Sequence, residues 1–161
     1  MEGSKTVVLA LTTKALYAQM KEHSYYLGEA LKSNPQIIEL AAKIQAGDDD
    51  DTVLKDFVQQ GGSKLGNVLS NVVGKTVYAW SNDASNGDTI TFTVSAVSNF
   101  MDAQKDTLKD AMLNYLSTYI LSEWLSLIKP DEAVRFAAKL KDYEEDMRRL
   151  GAQRSKPTRV S

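Results

Sequence analysis

The stretch KTVYAWSNDASNGDTITFTVSAV, residues 75–97, limits what this chain can become more than any other. Val77, Ala79 and Ser81 alternate with Tyr78 and Trp80. Beyond a polar break, Ile90, Phe92 and Val94 alternate with Thr89, Thr91 and Thr93. A period of two is the mark of a strand with one buried face. The break SNDASNGD collects residue types that accept tight-turn backbone angles, Asn86-Gly87 among them. The spacing predicts a β-hairpin. A lone hairpin is marginal in water and needs a third strand or a helical cover. KTVVLALTT supplies the strand, with Val7, Leu9 and Leu11 alternating on one side.

The rest of the chain has helical periods. After Thr12-Thr13, where a threonine hydroxyl can cap, Leu16, Met20, His23, Leu27 and Leu31 recur at spacings of three and four and predict one apolar stripe. A second helix is expected over NPQIIELAAKIQAG, with Asn34 as cap, Pro35 in the first position and Gly47 as stop. The run Asp48, Asp49, Asp50 and Asp51 then brings negative charge to the start of a third helix, DTVLKDFVQQ. Gly61 and Gly62 are expected to break that helix. SKLGNVLSNVVG should resume as a short, separate one carrying Leu65, Val68, Leu69 and Val72. In the last third, Met101, Leu108, Met112, Tyr115, Leu116, Tyr119, Ile120, Trp124, Leu127 and Ile128 give one long helix a wide apolar face. Lys129-Pro130-Asp131 interrupts it, because proline disfavours helical geometry in the residue before it. Ala133, Val134, Phe136, Ala137, Leu140, Tyr143 and Met147 continue the stripe in a closing helix that stops at Gly151. So short a link predicts an antiparallel helix pair or a sharp kink.

The expected fold class is therefore α+β and predominantly α-helical: a helical bundle with a small antiparallel β-sheet made by the N-terminal strand and the hairpin. One domain over residues 1–151 precedes an extended basic tail, 152–161. A length of 161 residues suits a single core. An apolar share of 43% beside a charged share of 25% matches globular usage and argues against wholesale disorder. No run approaches the roughly 18 apolar residues of a membrane span. TVVLAL is too short for the core of a signal peptide, so assembly in cytosol is expected. The lack of cysteine removes disulfides and thiolate metal sites together. A net charge of −2 gives no whole-molecule attraction to nucleic acid, so any such contact has to be local.

Candidate chemistry is sparse. His23 is the only histidine, and the sequence names no partner to orient it as a base. A zinc site would have to rest on carboxylates. Asp48–Asp51 are consecutive, whereas a calcium loop alternates its ligands and closes on a bidentate glutamate. A solvated loop that caps a helix fits them better. GGSKLGN does not fit a phosphate-cradling loop and follows no strand. Glu144 and Glu145 sit at helical spacings from Lys141, Arg148 and Arg149, the pattern of a solvated, ion-paired face. No enzyme signature and no cofactor site emerges.

The C-terminal end stands apart. Arg148 and Arg149 offset a helix dipole, but Arg154, Lys156 and Arg159 lie beyond the expected helix, with no acid after Asp146. Pro157 holds that segment extended. Such a tail is either a loose end or an arm suited to an acidic groove on another subunit or to phosphates.

In its layout and its last third the chain resembles the small head–tail connector (adaptor) proteins of tailed phages and prophages. Tyr119 and Trp124 on the long helix, the Lys129-Pro130 turn, the alanine-rich EAVRFAAKL and the ending KPTRV carry the resemblance. It implies a non-enzymatic virion protein at the head–tail interface. Identical subunits would form a ring between portal protein and tail proteins, assembled in the host cytoplasm without a membrane, whose lumen could pass DNA without sequence-specific contacts. A ring needs heterologous contacts. For these the hairpin edge with Tyr78 and Trp80, the tail residues Arg154, Lys156, Pro157 and Arg159, and Asp48–Asp51 as the acidic acceptor are the candidates. A nucleic-acid-binding module, a carboxylate-only enzyme and a generic helical dimerisation protein are the rival readings.

Overall fold

The computed structural model describes residues 4–31, 45, 51–81, 88–97, 100 and 102–152. The expected helix at 34–47 apart from Gln45, Asp48–Asp50, turn residues 82–87, Met101 and the tail from 153 onward lie outside them. Strands β1 (Ser4–Thr12), β2 (Lys75–Ser81) and β3 (Thr89–Val97) form an antiparallel sheet of order β1-β3-β2. The hairpin and the N-terminal strand therefore pair as the alternation predicts, with β3 in the middle. Register is continuous on both sides: Leu9 faces Phe92 and Phe92 faces Tyr78, while Val8 faces Thr93 and Thr93 faces Val77. Val7, Leu9, Leu11, Ile90, Phe92 and Val94 all lie on one face and are buried.

Four helices accompany the sheet among the described residues: α1 (Thr13–Leu31), α2 (Asp51–Val72), α3 (Lys105–Ile128) and α4 (Pro130–Ala152). Strand β1 passes straight into α1, where the Thr12 hydroxyl accepts the Ala15 amide at 3.2 Å. The buried row of α1 is Leu16, Met20, Ser24 and Gly28. The expected stripe through His23 is thus corrected. The ridge steps by fours from Leu16, which turns His23 to solvent and leaves Leu27 and Leu31 on its flank.

The two-glycine break is also overturned. Helix α2 runs unbroken through Gly61 and Gly62, and SKLGNVLSNV is its second half rather than a separate helix. Leu54, Val58, Leu65 and Leu69 are its buried apolar row. The glycines lie within that row because two aromatic rings occupy the space their side chains would take. A Cβ on Gly61 would lie 2.7 Å from Cδ1 of Tyr119 on α3, and one on Gly62 2.7 Å from Cε2 of Tyr78 on β2. Each glycine costs about 1 kcal/mol of helix propensity, which the close seating of the rings offsets. Gly61→Ala and Gly62→Ala should each lower stability despite better propensity, because overpacking a core costs about 1–3 kcal/mol. Urea denaturation should show reduced midpoints for both variants. A raised midpoint would mean that the rings move aside freely.

Helix α3 is buried on most of its circumference, including Ser117, Thr118 and Ser122. It ends where the Lys129 amide bonds the Leu125 carbonyl at 2.6 Å, and Pro130 opens α4. The pair is antiparallel: Thr107 and Asp110 near the start of α3 adjoin Asp146 and Arg149 near the end of α4. The expected stop at Gly151 is corrected, since α4 continues to Ala152. Gly151 serves close approach instead: a Cβ there would lie 2.7 Å from the Val72 carbonyl oxygen.

Candidate functional site

Among the described residues no group of three or more His, Cys, Asp or Glu side chains is placed to hold a metal ion. No helix among them is long and apolar enough to cross a membrane. The cleft between α3 and α4, about 360 Å³, is lined by Thr107, Asp110, Ala111, Asn114, Asp146, Arg149 and Leu150. Arg149 pairs with Asp146 on its own helix.

The two aromatic candidates of β2 point toward the helices and are half-buried. Tyr78 lies against Gly62 and packs its ring 5.3 Å from that of Phe92. Its hydroxyl is buried without a hydrogen-bond partner, and burial raises its pKa. Trp80 donates its indole N–H to Asp88 Oδ2 at 2.9 Å. Lys55 of α2 sits 3.8 Å from the same carboxylate oxygen and 5.5 Å above the Trp80 ring. The Asp88 amide bonds the Thr13 hydroxyl at 3.1 Å, and the Thr13 amide bonds the Asp88 carbonyl at 2.8 Å. This cluster ties the end of the hairpin to α1 and α2. Of the acidic run, Asp51 opens α2. Asp48–Asp50 and Arg154, Lys156, Pro157 and Arg159 lie outside the described residues.

Three tyrosines form a late-titrating class. Burial, with Glu144 and Tyr119 adding to it, pushes Tyr115 up to about 12. Burial also raises Tyr78 and, with Glu123, Tyr119. A phenol that stays neutral in the fold but ionises in the unfolded chain favours unfolding once pH passes its ordinary value near 10. Stability should therefore fall between about pH 10 and pH 12. Tyr115→Phe should flatten that decline in denaturation followed by circular dichroism.

What the fold leaves open is the sheet. Thr6, Val8, Ala10, Thr12, Lys75, Val77, Ala79, Ser81 and Ser95 are exposed on the face turned away from the helices, with Thr89, Thr91 and Thr93 half-exposed between them. Lys75 is the one charge in that array, in a chain that is 25% charged. The edges differ. The Thr13–Asp88 bond continues the β1–β3 ladder and fixes its alternation. Odd-numbered residues of β1 bond to β3, and Thr6, Val8 and Ala10 turn their N–H and C=O groups outward. On β2 the Thr76 amide, facing the other edge, is taken by the Ser70 hydroxyl of α2 at 3.1 Å. Ser70 of α2 thus occupies the start of the hairpin's edge, and among the described residues none bonds the outward groups of β1.

The sequence expectation sets subunit contacts at the hairpin edge, the basic tail and Asp48–Asp51, and does not single out the edge of β1. The signal was present: TVVLALT contains no charge, proline or glycine, the residues that ordinarily blunt an edge strand. Searched against family models, curated proteins and solved structures, the chain matches none.

Proposed function

We propose that this protein is a structural subunit that acts through the surfaces it presents to other chains, and specifically a head–tail connector of a tailed phage or prophage. The supporting observation is the open sheet. Its outer face carries one charge, and its β1 edge is long, regular and, among the described residues, unguarded. An unblunted edge of this kind recruits other strands. The α3–α4 hairpin adds Leu127 and Val134, 67% and 70% exposed at its tip. In this reading the tail residues Arg154, Lys156 and Arg159 act as an arm that grips a neighbour, and Asp48–Asp51 offer an acceptor.

Assembly is the test. Mass photometry and negative-stain microscopy of the purified chain should show closed rings on addition of portal protein. Deleting residues 153–161 should weaken those rings at least tenfold in concentration at low salt, and the difference from the full chain should narrow as salt screens the arm. A chain that forms no ring, alone or with portal protein, would defeat the connector reading. An unchanged ring without the tail would defeat the arm.

A further inference from the structure

We propose that the open edge of β1 pairs with the same edge of a second copy across a two-fold axis, so that two three-stranded sheets become one of six strands. The inference does not rest on the connector reading, because a two-fold contact closes on itself and makes a dimer, whereas a ring needs two different patches.

Three observations select this occupant. The first is the direction of the backbone groups. Thr6, Val8 and Ala10 present N–H and C=O outward at every second residue, and β1–β3 pairing is continuous from Ser4–Val97 to Thr12–Thr89 with no bulge to twist the edge away. The second is charge. From Thr6 to Thr12 the strand has none, so two copies meet without like-charge repulsion and without desolvating an ion. The third is symmetry in the sequence itself. Read outward from Leu9, TVVLALT places Val8 against Ala10, Val7 against Leu11 and Thr6 against Thr12. An antiparallel pair centred on Leu9 thus sets Val8 opposite Ala10 of the second copy and Thr6 opposite its Thr12. This register matches outward-facing groups with outward-facing groups. A shift of one residue would pair them with inward-facing ones and flip every side chain.

The same geometry sets the strength. Val7, Leu9 and Leu11 are already buried beneath the sheet, so pairing adds backbone bonds and the outer row but no new core. A paired length of about 24 Å buries a few hundred Å² per copy, below the roughly 800 Å² of a standard stable interface. The dimer should be a concentration-dependent one, with a dissociation constant in the micromolar range or weaker.

Sedimentation equilibrium from about 1 to 500 µM, a range set by that affinity, should show monomer passing to dimer. Val8 and Ala10 are both exposed, so charges there leave the fold intact, which a thermal melt checks. In the double variant Val8→Lys/Ala10→Lys, like charges lie directly opposite across the axis, and the dissociation constant should rise about tenfold or more. In Val8→Lys/Ala10→Glu, the cation of one copy faces the anion of the other, and dimerisation should return to within about threefold of the parent. Amide exchange at Thr6, Val8 and Ala10 should slow as concentration rises. A chain that is monomeric throughout would overturn the proposal. So would equal effects of the two double variants, or exchange at those amides that ignores dimer formation. Because dimerisation is read on the isolated chain and ring formation on the assembly, either result can fail without the other.

Discussion

Gly74→Ala should leave the chain largely unfolded or strip more than about 3 kcal/mol from its stability, a loss reserved for a few named mechanisms. Gly74 lies between α2 and β2, where its amide reaches back to the Leu69 carbonyl at 3.0 Å and its own carbonyl accepts the Thr76 hydroxyl at 2.9 Å. A methyl group there would sit 2.0 Å from the Ser95 carbonyl oxygen, 2.9 Å from the Ser95 carbonyl carbon and 3.3 Å from the Ala96 Cα. All three are backbone atoms of the central strand. A strand backbone gives way even less readily than the tyrosine rings over Gly61 and Gly62. The chain must either tilt α2 away from the sheet or break β2–β3 pairing at Lys75–Ser95. Interiors at crystal-like density absorb neither cheaply. Urea denaturation and one-dimensional proton spectra should show the loss. A variant that melts within a few degrees of the parent would mean that this junction relaxes.

Phe92→Ala is expected to cost about 3–5 kcal/mol, the range for removing a buried aromatic. Phe92 is 0% exposed at the centre of the middle strand, between Leu9 on one side and Tyr78 on the other. Truncation leaves a void bounded by both edge strands, and neither can move inward without abandoning its register with β3. Tyr78 would also lose its ring contact, although its hydroxyl already lacks a partner. Phe92→Leu should recover part of the loss because it restores volume. Denaturant midpoints for the pair would separate void formation from loss of the aromatic contact.

The β elements were legible because a period of two admits one reading once turn residues bracket it. The α3–α4 hairpin was legible because Pro130 leaves few other choices. The errors share a cause. Gly61, Gly62 and Gly151 were read by backbone propensity, which describes an isolated helix, whereas in the fold each marks where another element comes closest. His23 was read into the stripe by spacing alone, although rows of fours and of threes diverge by half a turn within a few residues. Residues 4–12 carry the mark of an unblunted strand, but not whether another element covers its edge. Which edge a helix guards depends on Ser70 meeting Thr76 across the sheet, a contact that no local pattern encodes.

The seam at Thr12-Thr13 has a mechanical consequence. Because no residue separates strand from helix, and Thr13 is pinned to Asp88, β1 and α1 form a stiff elbow. A helix of 19 residues reaches about 28 Å. A rotation of the strand by only about 5° would therefore swing its far end by roughly 2–3 Å. Tyr25 and Tyr26, exposed along that arm, would report the swing, so their fluorescence or ring resonances can serve as a remote gauge of what grips the other end.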